Sequence, residues 1–328
     1  MRLYFLFFLT SILLVFHTVE LYSQANRGYR YRSFTRFGQK KSWWEVYAGL
    51  GVTNFLGELG GANDIGTNFA KDFDIQATRW SYQMGAKYFY IPRFAQKFQF
   101  TYARLRGDDK WTQQPNRRFR NLNFRSPVFE LGTQIEGYIL KEGKQASRYK
   151  LAGIKQKKSN PVELYVLAGF HGLYFNPKGL NPETNTWVAL QPLCTEGQGV
   201  INARPKYSRF SYVFNYGLGA TVRVAEDWRI GIEASMRQTF SDYIDDASTT
   251  YVSDQILEKT SSPNKALSKV MADKSMYSDL WGNGGDPIQT NPGEQRGDPR
   301  DRDAYMSLMI HVYYRLAGGG RGTIPKFY

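Results

Sequence analysis

The chain holds one cysteine, Cys194, and three histidines in 328 residues. A single thiol forms no intramolecular disulfide, and none stands at a position where a lipid anchor is attached. Once His17 is removed with the leader, the scattered His171 and His311 give no zinc-type ligand spacing. Nucleophile motifs of the hydrolase kind are also missing, so the histidines have no serine partner that spacing alone can point to. Long apolar runs are equally scarce. Residues 3–16 form one, too short to cross a bilayer comfortably, and no later stretch approaches the roughly 20 apolar residues of a membrane helix.

What is present begins with that run. Arg2, the apolar segment 3–16 and then Ser23, Gln24 and Ala25 make residues 1–25 a secretory signal peptide, with the cut between Ala25 and Asn26. Export removes nucleic acid as the partner of a formal net charge of +14. The basic excess then reads as loops lying against anionic headgroups or polysaccharide. Residues 26–42 carry Arg27, Arg30, Arg32, Arg36, Lys40 and Lys41 with no acid, the pattern of a basic tethering arm. No catalytic, cofactor-binding or metal-binding residue is assigned, and the chain is read as non-enzymatic.

From Trp43 onward the hydropathy has a period of two. At 228–237, Trp228, Ile230, Ile232, Ala234 and Met236 fall on one face, with Arg229, Gly231, Glu233, Ser235 and Arg237 on the other. A helix could not segregate those two sets. The same split occurs at 210–224 and 128–139, and in weaker form at 43–56, 79–91, 95–106, 161–175 and 304–316. That is about eight strands of roughly 10 residues or more, the length of a tilted membrane strand. Connectors are short at 92–94 and 225–227 but long at 57–78, 107–123, 176–209 and 241–303. Short turns at one end and long loops at the other, with aromatic content of 16%, predict an all-β, antiparallel transmembrane β-barrel over 43–317 with long extracellular loops. The rival is a soluble β-sandwich, which also alternates but uses shorter strands, of about 5 to 6 residues. Residues 318–328 form a basic tail.

The polar faces of these strands define the expected lumen. Glu45, Glu130, Glu136, Glu163 and Glu233 oppose Lys87, Arg223, Arg229, Arg237 and Arg315, with Gln83, Gln99, Gln134, Asn215, His171 and His311 between them. A barrel of eight strands is filled by side chains, so this set reads as a salt-bridged plug rather than an ion or proton path. Asp242, Asp245 and Asp246 lack the glycine turn and terminal glutamate of a calcium loop and read as a solvated strand end. Segment 241–303 holds a short helix at 264–274 and then a Gly, Asp and Pro-rich stretch. Its length fits a loop that covers the mouth or contacts another protein.

Three phrases carry a resemblance: FSDYIDDASTTY at 240–251, RGDP at 296–299, and GLG at 49–51 followed by NFLGEL at 54–59. With them the chain, from about residue 43 to 316, resembles a Bacteroidota family of outer-membrane β-barrels that includes the type IX secretion system component PorG. The resemblance implies a structural or assembly role in an envelope complex, with periplasmic ring or translocon proteins of the secretion and gliding machinery as partners. It supplies no catalytic residues. The basic arm and the large loops depart from the family pattern. On charge, the arm at 26–42, the link at 140–160 with Lys141, Lys144, Lys150, Lys155, Lys157 and Lys158, and the tail are the contact candidates, and an acidic partner is expected. The alternative is an independent barrel for adhesion or small-solute binding through its long loops.

Overall fold

The computed structural model describes residues 42–57, 59, 75–112, 114–141, 161–225, 227–280 and 290–316. The signal peptide, the tail and all but the first residues of the link and the last of the arm lie outside these residues. Eight long strands dominate: β1 (Trp43–Leu56), β2 (Arg79–Ile91), β3 (Phe94–Asp108), β4 (Asn123–Leu140), β5 (Val162–Phe175), β8 (Phe210–Arg223), β9 (Trp228–Thr239) and β10 (Ala304–Arg315). Between β5 and β8 lie two three-residue strands, β6 (Lys178–Leu180) and β7 (Trp187–Ala189). Every pairing is antiparallel. β1 pairs with β10 over Glu45↔Arg315 to Leu56↔Ala304, and β3 pairs with β4 over Phe94↔Gly137 to Asp108↔Asn123, which closes the eight long strands into a barrel in which none of them is an edge strand.

Closure sends alternate side chains in and out. The outward set is apolar and bare: Leu131 is 70% exposed, Trp80 69% and Leu218 64%. Exposure on that scale around a whole sheet has no soluble counterpart and matches a hydrocarbon-facing belt. Aromatic chains edge the belt. At the long-loop end, Tyr82, Tyr102, Phe129, Tyr174 and Phe210 touch in succession across β2, β3, β4, β5 and β8, with ring centroids 6.3, 5.0, 6.2 and 4.9 Å apart. At the short-turn end, Trp44 meets Tyr88 at 4.8 Å and Trp228 meets Tyr314 at 4.9 Å.

Aromatics also fill the inside of the barrel. Phe89, Tyr138 and Tyr165 fill the barrel toward the turn end, while Phe55, Phe124, Phe175 and Tyr305 fill it toward the loop end, all buried. Polar alternation therefore fails at the loop end, where the inward positions are greasy, while at the turn end the aromatics stand among the inward Glu45, Glu163 and Arg229. The loop-end cluster continues into Tyr207, Ile244 and Ala247 from the loops.

Those loops are folded. Connector 107–123 contains α1 (Pro115–Arg120), and segment 241–303 contains α2 (Asp254–Lys259) and α3 (Lys265–Ala272). The helix expected at 264–274 is α3. Asn264 caps it by accepting from Leu267 N at 3.0 Å. Its buried Met271 packs on Leu190 and Leu193 from the connector before β8. Loops from three connectors thus make a cap with its own small core.

Candidate functional site

Two polar networks are enclosed, one in the lumen and one in the cap. In the lumen, the Lys87 ammonium lies 2.7 Å from Glu136, Lys97 lies 2.9 Å from Glu233, and Arg237 lies 3.2 Å from Glu130. Arg229 bridges Glu45 at 3.1 Å and Glu163 at 3.4 Å. Tyr165 donates to Glu233 at 3.0 Å, Tyr305 to Glu130 at 2.7 Å, and Tyr138 to Glu136 at 2.9 Å. His171 and His311 are buried here too, on Glu130 and Gln83, both at 2.8 Å. Buried charge is costly unless paired and hydrogen-bonded, and each of these acids has both kinds of partner.

All five acids of the expected lumen and the bases Lys87, Arg229 and Arg237 are where the alternation puts them. Two bases are not. Arg223, the last residue of β8, is exposed, and Arg315 is half-exposed with its guanidinium 4.8 Å from the Trp43 ring. Both lie at the turn end, where a long side chain reaches water more cheaply than it enters the barrel. Their places are taken by Lys97, fully buried, and by Lys141, which binds Glu163 at 2.9 Å and covers the Tyr138 ring at 3.8 Å. Lys141 is therefore tucked into the barrel rim and is not a free contact residue of the 140–160 link. Lys97 carries the inward parity of Ala95, Gln99 and Thr101, a signal already present in β3.

The cap network centres on Arg296. Its guanidinium lies 2.8 Å from Glu196 and 3.6 Å from the Asp246 carboxylate, and it donates to the Asp246 and Ala272 carbonyls. Glu196 also accepts from Ser248 N at 2.9 Å and Thr249 Oγ1 at 2.7 Å. Asp246 accepts from Thr195 Oγ1 at 2.6 Å and Tyr207 OH at 2.5 Å. A second ion pair, Arg120 to Asp109 at 2.8 Å, is joined to the first because Arg120 also donates to the Arg296 carbonyl at 2.6 Å. The expected solvated strand end is thus overturned: Asp245 and Asp246 are buried, because the cap folds over them and supplies an arginine. Sequence reasoning missed Glu196 and Lys274 altogether. Neither sits in a periodic segment, so no pattern marks them.

Burial pushes the Asp246 carboxyl up to about 6, against the opposing pull of Arg296. Burial, helped by the Arg296 charge, brings the Lys274 ammonium down to about 7. Lys274 donates to Asn123 Oδ1 at 3.1 Å, tying the cap to the start of β4. Two of the three phrases behind the family resemblance meet at this place: Arg296 N and Gly297 N both donate to Thr249 O at 2.8 Å, and Tyr251 N donates to Glu294 O at 2.9 Å. Among the described residues, no group of three or more His, Cys, Asp or Glu side chains is placed to hold a metal ion. Cys194 is buried in the cap with its thiol 3.8 Å from Ser261 Oγ.

No protein-family model and no curated protein matches the sequence. Among solved structures the chain is similar to Neisserial surface protein A at 7% identity and a TM-score of 0.34, covering 84% of this chain and 96% of that one. It is also similar to Ail, the attachment invasion locus protein of Yersinia pestis, at 9% identity and a TM-score of 0.32, covering 84% and 97%. A de novo designed transmembrane β-barrel gives 11% and 0.27. Likeness this distant adds nothing to an architecture that the strand pairing already states.

Proposed function

We propose that this chain is an outer-membrane β-barrel that acts as a non-conducting, non-enzymatic anchor in an envelope complex such as the type IX protein secretion machinery of Bacteroidota. The observation that carries this reading is the closed interior. The acids Glu45, Glu130, Glu136, Glu163 and Glu233 are all ion-paired within the barrel, an apolar cluster fills the loop end, and a second packs among the ion pairs toward the turn end. An interior so filled leaves the outer surfaces to do the work. The long-loop end then faces outward from the cell and the short-turn end faces the periplasm. The strand ends at Trp43, Leu140, Val162 and Arg315 lie at the turn end, and the basic character of the sequence segments 26–42, 140–160 and 318–328 next to them suits an acidic face on a periplasmic ring or translocon protein. The assignment to secretion rests on the three phrases of the family resemblance.

Affinity capture of the tagged chain from native membranes, together with export assays in a deletion strain, tests it. Co-purification with periplasmic ring proteins and loss of secreted proteins from the medium are expected. Recovery as a bare monomer, with export intact, removes the proposal. That outcome favours a second reading, an independent barrel for surface adhesion or small-solute binding, which the folded cap and its exposed Met276 and Tyr277 would serve.

A further inference from the structure

Three cations stand abreast on the outer face of the loop end. Arg106 of β3 pairs across the sheet with Arg125 of β4, and Arg125 pairs in turn with Lys178 of β6. Residues directly opposite in an antiparallel pair share a face with Cβ atoms about 5 Å apart, and like charges placed so are destabilising. Arg104, two residues back along β3 on the same face, adds a fourth charge, and Arg104 and Arg106 both repel Arg125. Among the described residues, the one carboxylate at ion-pair distance from this group is Asp108, 3.8 Å from Arg106. One acid against four bases leaves the row short of negative charge.

Two tryptophans hold the guanidinium groups in place. Trp187 lies 4.3 Å from Arg125 and 6.0 Å from Arg106, and Trp111 lies 4.9 Å from Arg106. Stacking of this kind orients the planar fork and leaves its N–H groups free for a bidentate acceptor. Depth selects the ligand. Tyr102 and Phe129 belong to the loop-end aromatic edge of the belt, and Arg104 and Arg125 come two and four residues further along their strands, at about 6.8 Å per two residues before tilt. Cations at that height sit among headgroups, with apolar side chains directly below.

We propose that Arg104, Arg106, Arg125 and Lys178 bind the phosphate groups of a lipid in the outer leaflet, whose acyl chains lie along the belt beneath. Arginine forks match phosphate oxygens bidentately, and a ligand joining phosphate to hydrocarbon satisfies the row and the surface below it together. The inference rests on the loop end facing the outer side of a membrane and is independent of any role in secretion.

The test uses the full mature chain in neutral-detergent micelles, titrated with phosphorylated lipid A, with the same lipid stripped of phosphate, and with inorganic phosphate. Native mass spectrometry reads binding, and the melting midpoint reads stabilisation. The phosphorylated lipid alone is expected to bind and stabilise, with affinity that weakens as salt rises. The double variant Arg106→Gln, Arg125→Gln should lose affinity roughly tenfold or more, while its lipid-free stability is unchanged or improved because the like charges are relieved. Arg106→Lys with Arg125→Lys keeps the charge but loses the fork, and should fall between. Equal binding of the stripped lipid, saturation by inorganic phosphate alone, or full affinity in the glutamine variant would each overturn the proposal. The first two are read on the unaltered chain, so a variant that misfolds does not rescue it.

Discussion

At the scale of single residues, the cap sets two carboxylates, Glu196 and Asp246, around one guanidinium, Arg296, out of reach of water. One negative charge is left over, and burial holds the Asp246 carboxyl up at about 6. The consequence for stability has a definite sign. In the unfolded chain the carboxyl titrates near its ordinary value of 3.8. Between the two values the folded cap binds more protons than the unfolded one, so its stability rises as pH falls through that window and levels off below it. Amide exchange over 244–249, corrected for intrinsic rates, should therefore be slower at about pH 5 than at about pH 7. Asp246→Asn should flatten the dependence, and an unchanged slope in that variant would assign it to another group. Lys97 in the lumen offers a second test. Lys97→Met leaves Glu233 buried without its partner and should cost about 3–5 kcal/mol in urea unfolding. Pairing it with Glu233→Leu should return most of that loss, and a double variant no better than the single would show that the cost lies in packing.

At the scale of strands, large inward side chains are accommodated because residues beside them are small. A Cβ on Gly219 of β8 would meet the Tyr165 ring of β5 at 2.2 Å. Tyr165 is 1% exposed and bonded to Glu233, so it has nowhere to move. Gly219→Ala should destabilise the barrel by about 1–3 kcal/mol, seen as a lower urea midpoint. A neutral result would show that the ring has slack. Strand identity was legible from the sequence, since period two in β9 and β8 separates the faces before any register is known. Facing is fixed by parity alone, which is why the five glutamates were placed correctly and why Lys97 was readable though passed over. Parity fails at strand ends, where Arg223 turns to solvent and β4 starts at Asn123 instead of the expected 128. In the loops there is no period to read. The short helix expected at 264–274 was found as α3, but nothing near Glu196 or Lys274 in sequence announces that Arg296 and Asn123 will come to meet them. Asp245 and Asp246 looked solvated because a run of acids normally is, and only the distant arginine reverses that.

At the scale of the whole molecule, two separate closures lie in series along one axis. The upper one is the apolar cluster in which Phe55, Phe124 and Phe175 of the barrel take in Tyr207, Ile244 and Ala247 of the loops. The lower one is the set of ion pairs through Lys87, Lys97, Arg229 and Arg237, with Phe89, Tyr138 and Tyr165 packed among them. If the cap alone closed the barrel, removing it would open a path. The lower set belongs entirely to strand residues, however, and owes nothing to the loops. Purified protein in planar bilayers should therefore show no discrete conductance steps, and a variant with 245–300 replaced by a short glycine-serine turn should stay closed even if its stability falls. Steps that appear only in the shortened variant would make the cap a gate and the lumen a conduit, and the anchor reading would lose the observation it stands on.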